Sequence, residues 1–246
     1  MRIENDGDLA ALLADEAGKI LLQVRNSGLF DGKALGKAGD QTANQFLVHA
    51  LRHQRPEDGL LSEEEKDDAE RLAKERVWIV DPVDGTREYG EQRSDWAVHV
   101  AMAVKGQPVV GAVALPDCGE VLRSDRPRQV PPAPPVLRMV VSRTRPAREA
   151  TEVAKILDAE LVPMGSAGAK AMSILRGEAD IYLHSGGQYE WDSCAPVAVA
   201  LGWGLHCSRI DGSPLVYNRQ DVYMPDLLIC RREHAARVLA EVAELG

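Results

Sequence analysis

The sequence predicts a chain of mixed α-helical and β-strand layers, and two observations support this prediction. Stretches with apolar residues at helical spacing alternate with short apolar stretches of strand length along the chain. The chain has 246 residues, of which 45% are hydrophobic and 27% charged, so it can bury a large core without covalent cross-links. This length predicts one large domain or two smaller ones.

The N-terminal half is predicted to begin with two helices and to continue as a group of strands. Apolar residues share one helical face over 9–24, with Asp6 or Asp8 as the cap. A second helix is expected to start at Asp40. Strands are predicted at Gly59–Ser62, 77–80, 96–104, 108–115 and Glu120–Arg123.

Five of the nine residues at 127–135 are proline, and such a stretch favours extended backbone that connects two units. The sequence is therefore divided into a helix-plus-antiparallel-sheet half at 1–130 and an α/β half at 136–246. A segment that recruits a partner is the alternative, and an ordinary connection is the preferred interpretation. In the second half, strands are predicted at 137–142, Glu160–Met164, 180–184 and 227–230, and helices at 146–157, 167–176, 192–201 and 235–245.

Composition and charge argue against several classes of function. The chain has 29 Lys and Arg against 38 Asp and Glu, and this net charge of −9 disfavours binding to nucleic acid or an anionic membrane. No apolar stretch approaches the roughly 20 residues of a membrane-spanning helix. The N-terminus shows no secretory signal, and the four cysteines form no CxxC pair. These features predict a soluble, cytoplasmic protein.

Two carboxylates follow the predicted strand at 77–80. Asp81 and Asp84 lie three residues apart, and Pro82 between them is expected to end the strand and turn the chain. Their carboxylates and the Val83 carbonyl can then converge on one point, and such hard oxygen ligands suit Mg²⁺. The alternative is an ordinary turn, since Asp, Pro and Gly are common turn residues.

Gly85 and Thr86 follow this acidic pair. Gly85 permits an unusual backbone angle, and the amides of Gly85 and Thr86 can open a short helix that receives an anion. An anion cradle beside hard oxygen ligands is what a phosphate and Mg²⁺ require together.

Two further acidic positions belong to the same hypothesis. Glu63 comes just after the strand Gly59–Ser62, although the run at 63–65 is also typical of a solvated charged surface. Asp192 lies where a helix should begin, and a helix N-cap is its alternative role. His99 and His184 are interpreted as core or surface groups rather than catalysts.

Together these motifs resemble the inositol monophosphatase superfamily, whose members are lithium-sensitive, magnesium-dependent phosphomonoesterases. The acidic pair at 63–64, DPVDGT at 81–86 and WDSCA at 191–195 occur in the family's order, and GSAGAK at 165–170 resembles its G-S-x-x-x-K segment. The resemblance covers residues 40–226. It implies a five-layered α/β/α/β/α sandwich of the inositol monophosphatase/fructose-1,6-bisphosphatase type.

The resemblance also implies a set of metal ligands. Glu63, Asp81 and the Val83 carbonyl would hold a first Mg²⁺, and Asp81 would bridge to a second ion held by Asp84 and Asp192. A third, looser ion near Glu63 is compatible with this set. Two such ions polarise a phosphoryl group, activate water and stabilise the leaving oxygen. Inhibition by Li⁺ is implied by the family alone.

Catalytic roles follow from the same resemblance for Asp40, Glu63 and Thr86. Asp40 would pair with Thr86 to orient the attacking water, so that the phosphoryl group passes directly to water. A helix N-cap is the alternative role for Asp40. The amides of Gly85 and Thr86 would hold the phosphate.

The substrate contacts implied by the family motifs are Asp84, Gly85, Thr86, Arg87, Ser166, Lys170, Glu190 and Asp192. Glu190 and the residues REY at 87–89 resemble the bacterial bisphosphate nucleotidases of the family. Ser185 stands where inositol monophosphatases carry a glutamate that contacts inositol, so tight inositol selectivity is not expected. Arg87 would reach a second phosphate or a ribose oxygen, and an ordinary surface arginine is the alternative.

The resemblance therefore favours a small phosphorylated substrate. The activity that it implies is removal of the 3′-phosphate of 3′-phosphoadenosine 5′-phosphate to give AMP, in sulfate assimilation. A broad inositol-phosphate or fructose-1,6-bisphosphate phosphatase is the first alternative. A non-catalytic nucleotide or phosphate sensor is the second. The assembly predicted for the chain is a homodimer.

Overall fold

The computed structural model describes residues 2–133 and 135–245, so Met1, Gly246 and Pro134 of the predicted connection lie outside the described residues. The helices are α1 (Asp6–Asn26), α2 (Gly32–Gln54), α3 (Thr86–Gly90), α4 (Arg148–Leu157), α5 (Ala167–Leu175), α6 (Glu190–Gly202) and α7 (Arg232–Leu245). The strands are β1 (Gly59–Ser62), β2 (Arg76–Asp84), β3 (Ala97–Val104), β4 (Gln107–Leu115), β5 (Glu120–Arg123), β6 (Arg138–Ser142), β7 (Glu160–Met164), β8 (Ile181–Tyr189), β9 (His206–Ser208) and β10 (Tyr223–Cys230). None of the helices in these ranges is both long and apolar enough to span a bilayer.

The first sheet has the strand order β1-β2-β3-β4-β5 and is antiparallel except for the parallel pair β1–β2. Successive side chains point to opposite sides of a strand, and in this sheet both sides carry apolar residues. In β2, Trp78 and Val80 pack towards α1 and α2, whereas Val77 and Ile79 pack towards α5 and α6. The sheet is therefore covered on both sides by helices.

The second sheet has the order β7-β6-β8-β10-β9, with β6 parallel to both β7 and β8. Val140 and Tyr182 on its inner face join the core that α5 and α6 share with the first sheet. Met139 and Ile181 on its outer face pack with α4 and α7. The five layers predicted from the resemblance are thus present, whereas the division into separate units at 1–130 and 136–246 stays a prediction.

Two N-terminal predictions are wrong in detail. Asn5 caps α1, and its Oδ1 accepts the N–H of Asp8 at 2.9 Å, because the side chain that precedes the helix reaches the open amides of the first turn. Helix α2 begins at Gly32 rather than at Asp40. Asp40 therefore lies within a helix, and its alternative role as an N-cap is excluded.

Strand and helix ends near the predicted site also differ from expectation. β2 continues through Pro82 to Asp84, because the proline falls in an irregular part of the pairing with β3 between Asp81 and Asp84. β8 extends beyond 184 through a bulge to Tyr189. Tyr189, not Asp192, is the cap residue of α6, so the N-cap alternative for Asp192 is wrong.

Candidate active site

An acidic cluster forms where β2 ends and α6 begins. Asp81 and Asp84 lie at the end of β2 and Asp192 lies in the first turn of α6, and one carboxylate oxygen of each lies within 4.8 Å of those of the other two. The Asp81 carboxylate is turned back on its own chain, since its Oδ1 accepts the N–H of Val83 at 3.0 Å. Asp192 Oδ2 accepts the N–H of Tyr189 at 2.6 Å, which fixes the third carboxylate.

Glu63 extends this cluster from the neighbouring strand. Its N–H continues the pairing of β1 with β2 by donating to the Val80 carbonyl at 3.4 Å, which places Glu63 beside Asp81. Part of the Glu63 residue is exposed, but its carboxyl group is surrounded by protein. This burial, together with the charges of Asp40 and Glu64, raises the pKa of Glu63 to about 7. A hydrogen bond with Asp81 has the opposite effect but is weaker. The predicted site residue therefore lies among the other carboxylates.

The acidic run at 63–65 is not an unstructured charged surface. Glu65 accepts a hydrogen bond from Asn44 Nδ2 at 2.9 Å and forms an exposed ion pair with Arg52 at 3.4 Å. Ser62 donates to the other end of the Asn44 amide at 2.7 Å. These bonds anchor the run to α2.

The cluster fits a hard divalent cation. Burial and the neighbouring carboxylates raise the pKa of Asp81 well above its usual value, and burial with Asp84 and Glu63 raises the pKa of Asp192 to about 7. Carboxylates crowded in this way repel one another, so their charged forms need a compensating cation. Oxygen ligands of this type are those that Mg²⁺ takes in proteins.

Asp84 is also held by the loop that opens α5. Its Oδ1 accepts the N–H of Ala167 at 3.0 Å, and its Oδ2 accepts the N–H of Gly168 at 2.6 Å and the hydroxyl of Ser166. Ser166 has a φ of 50°, which is uncommon for a residue with a side chain and costs free energy. This turn aims one hydroxyl and two amides at a single carboxylate.

His99 completes the surroundings of Asp84. It is fully buried on β3, with Nδ1 3.0 Å from the Trp191 carbonyl oxygen and Nε2 3.1 Å from Asp84 Oδ2. Burial alone would raise the pKa of Asp84, but His99, Ser166 and Lys170 together lower it to about 2. Asp84 is therefore an anion at neutral pH.

Asp40 and Thr86 meet where α2 packs against α3. Thr86 Oγ1 lies 3.1 Å from Asp40 Oδ1 and 3.1 Å from the Val83 carbonyl oxygen. Burial, reinforced by the Glu64 carboxylate, raises the pKa of Asp40 to about 7 against the opposing effect of Thr86. Gly36 allows this approach, because a Cβ atom there would lie 2.8 Å from Thr86 Cγ2.

Gly85 precedes Thr86 with a φ of 90°, which confirms the unusual backbone angle expected from the sequence. A cleft of about 720 Å³ adjoins the Asp40–Thr86 pair and is lined on its basic side by Lys33, Lys37 and Arg87. Arg87 borders the cleft, is largely exposed and pairs with Glu91 at 2.8 Å.

Two predicted substrate contacts lie inside the protein instead. The Glu190 carboxylate is fully buried and accepts the N–H groups of Asn218 and Arg219, each at 2.7 Å. Lys170 is buried as well, and its Nζ donates to the Ser166 carbonyl at 2.6 Å. We therefore assign both side chains to positioning loops, because their polar atoms are already bound within the protein.

His99 is the site residue that sequence reasoning missed. Its interpretation as a core group is confirmed by its burial, but its contact with Asp84 was not expected. The available signal was a single ionisable side chain within an otherwise apolar strand. The register that sets His99 opposite Asp81 is visible only in the folded sheet.

With its fold and this site, the chain belongs to the inositol monophosphatase family, whose profile matches residues 8–246. It is 50% identical over 240 residues to the 3′-phosphoadenosine 5′-phosphate phosphatase of Mycobacterium tuberculosis, an alignment that covers 93% of this chain and 90% of that protein. It is 27% identical to the 3′(2′),5′-bisphosphate nucleotidase CysQ of Escherichia coli, covering 88% of this chain and 96% of CysQ. These similarities confirm the predicted family, and the curated relatives are named as phosphatases and nucleotidases.

The solved structure of CysQ from Bacteroides thetaiotaomicron superposes with a TM-score of 0.80 at 24% identity, covering 91% of this chain and 96% of that one. An inositol monophosphatase from Anabaena superposes with a TM-score of 0.76 at 20% identity, covering 97% of this chain and 94% of that one. These matches confirm the predicted fold.

Proposed function

We propose that this chain is a Mg²⁺-dependent phosphomonoesterase that converts 3′-phosphoadenosine 5′-phosphate to AMP and phosphate, in sulfur metabolism. The observation that carries the reaction class is the convergence of Asp81, Asp84 and Asp192 beside the Asp40–Thr86 pair. The choice of substrate rests on the similarity to the mycobacterial phosphatase of that name over 93% of this chain.

In this proposal, Glu63, Asp81 and the Val83 carbonyl would hold one Mg²⁺, and Asp81, Asp84 and Asp192 would hold a second. A third, looser ion would lie near Glu63. When bound, such ions supply the positive charge that polarises the phosphate ester and stabilises the leaving oxygen. Inhibition by Li⁺ is part of the proposal.

The side chains of the protein orient the other reactants. The Thr86 hydroxyl donates a hydrogen bond to Asp40 or to the Val83 carbonyl. A lone pair of the Thr86 oxygen is then free to accept a hydrogen bond from the attacking water. Asp40 has a pKa of about 7, so its carboxyl group can gain or lose a proton near neutral pH. The amides of Gly85 and Thr86 are the proposed donors to the phosphate oxygens.

The first test is the release of phosphate in the presence of Mg²⁺, with and without Li⁺, from 3′-phosphoadenosine 5′-phosphate, inositol 1-phosphate and fructose 1,6-bisphosphate. We expect a preference for the nucleotide of about 100-fold in kcat/KM, equivalent to about 2.7 kcal/mol. Asp84→Asn should abolish most of the release, whereas Asp15→Asn, on the exposed side of α1, should not alter it.

The three substrates also separate the alternatives. Comparable rates on all of them would identify a broad phosphatase. Glu149 is the observation that favours this second candidate, because its Oε2 accepts the Ser185 hydroxyl at 2.6 Å, and a carboxylate therefore lies beside the residue that stands where inositol monophosphatases carry a glutamate. Binding of substrate without any release would instead identify a sensor and overturn the proposed enzyme.

We also propose a cytoplasmic location, which is supported by the four free thiols of Cys118, Cys194, Cys207 and Cys230, since such thiols are typical of reducing compartments. The homodimer stays a prediction. Size-exclusion chromatography with light scattering would test it directly.

A further inference from the structure

Three parallel strands of the second sheet end at the same edge. β6, β7 and β8 run in the same direction, so the turn after Ser142, the loop at 165–166 and the end of β8 lie together. In α/β sheets, ligands bind outside the carboxyl ends of parallel strands. Because Ser166 holds Asp84 and β8 leads into Asp192, this edge borders the acidic cluster.

Arg145 lies on this edge, in the turn that follows β6. Its N–H donates to Ser142 Oγ at 3.2 Å, which fixes the turn, while its side chain is exposed. The guanidinium lies over the end of β8, where a Cβ atom placed on Gly187 would be 3.5 Å from Nη2 and 3.6 Å from Nη1. Arg145 thus extends from β6 across to β8.

The guanidinium of Arg145 has no carboxylate partner among residues 2–133 and 135–245. Arg143, two residues earlier in the same turn, is neutralised by Glu88 at 2.6 Å and by Glu91 at 2.7 Å. The nearby His184 adds no charge, because burial, Lys170 and Arg145 lower its pKa to about 4. In a chain of net charge −9, an unpaired guanidinium beside a predicted phosphatase site can accept an anion.

The backbone beneath Arg145 is a glycine bulge that supports the guanidinium. Gly186 and Gly187 have φ values of 76° and 70° and form the bulge of β8 against β10 between Met224 and Asp226. Both glycines are exposed, and the guanidinium packs directly on Gly187, so its outward face is the one open to an anion. Bulges of this kind are frequent beside active sites.

We propose that Arg145 binds the second phosphate of a bisphosphate substrate while the acidic cluster receives the phosphate that is removed. This inference rests on the proposed function and deepens it, because it assigns a residue of the chain to the phosphate that is not removed. A planar guanidinium can contact two phosphate oxygens at once, which an ammonium group cannot do in the same geometry.

The test compares Arg145→Gln with the wild type on 3′-phosphoadenosine 5′-phosphate and on adenosine 3′-monophosphate, which lacks the second phosphate. We expect kcat/KM for the bisphosphate to fall about 10- to 100-fold, mainly through KM, and kcat/KM for the monophosphate to change less than about 3-fold. Arg145→Lys should recover part of the loss. Arg148→Gln, which removes another exposed arginine three residues later, is the matched control and should affect neither substrate.

An equal loss on both nucleotides, or no loss on the bisphosphate, would overturn the role of Arg145. A selective loss that extends to fructose 1,6-bisphosphate would support a subsite for a second phosphate on any sugar, and a loss confined to the nucleotide would support a nucleotide subsite. If the wild type hydrolyses none of these compounds, the proposed function fails. Calorimetric binding of the two nucleotides with Mg²⁺ then still tests Arg145, since only bisphosphate binding should weaken in Arg145→Gln.

Discussion

His99 and Asp84 form a buried pair whose geometry depends on three separate elements. The imidazole lies on β3 and the carboxylate on β2, and the Trp191 carbonyl that receives Nδ1–H belongs to α6. Burial alone would lower the pKa of His99, but the adjacent Asp84 outweighs it and raises the pKa. Groups that orient a metal-binding carboxylate in this way commonly affect metal affinity and activity.

At the residue scale, we expect His99→Leu to lower phosphate release by about 10- to 100-fold, because Asp84 loses the group that orients it. His99→Gln should recover part of the rate, since an amide can still donate to the carboxylate. The measurement is steady-state kinetics over a range of Mg²⁺ concentrations. His49→Leu on the exposed face of α2 is the control, and full activity in a folded His99→Leu protein would contradict the role.

Individual site residues were predictable to different degrees. Asp81, Asp84 and Asp192 could be placed from the sequence because each lies near the end or the start of an element within a short motif, so local order determines its position. Glu190 and Lys170 occur in equally recognisable motifs, yet their side chains are bound by Asn218, Arg219 and the Ser166 loop. The partners of Glu190 lie 28 and 29 residues away, and the Ser166 turn that receives Lys170 is held by the distant Asp84, so burial could not be inferred from the motifs.

At the element scale, the contact of α2 with α3 determines the distance between Asp40 and Thr86. The sequence suggested that α2 starts at Asp40, whereas the structure begins it at Gly32 and includes Gly36 and Gly39, although glycine weakens a helix. In the structure, α2 approaches Thr86 at Gly36 and Tyr89 at Gly39, whereas a Cβ atom at Gly32 would meet no atom within 4 Å. Tertiary packing therefore overrides the low helix propensity of glycine, and the local sequence does not reveal these contacts.

We expect Gly36→Ala to lower kcat by about 10- to 100-fold, because the added methyl group displaces Thr86 from Asp40. Its effect on the free energy of unfolding should be small, since the gain in helix propensity of about 1 kcal/mol offsets part of the strain. Urea denaturation and steady-state kinetics together check this. Thr42→Ala on the same helix should leave kcat unchanged, and wild-type kcat in Gly36→Ala would contradict the argument.

At the scale of the whole molecule, the alternation of helices and strands predicted mixed layers correctly, whereas the number of layers came from the family resemblance. Periodicity identifies which face of an element is buried but not which element covers it. α5 and α6 pack between two sheets, and only the assembled fold shows that both of their sides are buried.

The acidic cluster should make stability depend on pH and metal. The pKa values of Glu63 and Asp192 rise from 4.5 and 3.8 to about 7 on folding, so the folded, metal-free protein binds more protons than the unfolded chain between these values. This contribution is complete below about pH 4 and is lost as the pH rises through 7. Thermal unfolding in EDTA should therefore give a lower Tm at pH 8 than at pH 5.5.

Mg²⁺ should reverse this trend because it binds the deprotonated carboxylates. At 100 times its Kd the ion adds about 2.7 kcal/mol, which corresponds to a Tm increase of roughly 5–10 °C for a chain of this size. The increase should be larger at pH 8 than at pH 5.5, and smaller in Glu63→Gln. An equal increase of Tm by Mg²⁺ at both pH values would contradict the assignment of these carboxylates as the metal ligands.

The cluster joins a carboxylate pair from the first sheet to Asp192, which follows strand β8 of the second sheet much later in the chain. An ion held there would act as a reversible cross-link between distant points of one polypeptide. An ion that binds the folded chain and not the unfolded one favours the arrangement in which these distant carboxylates meet. Chelation would therefore weaken the link between the two sheets as well as stop the reaction.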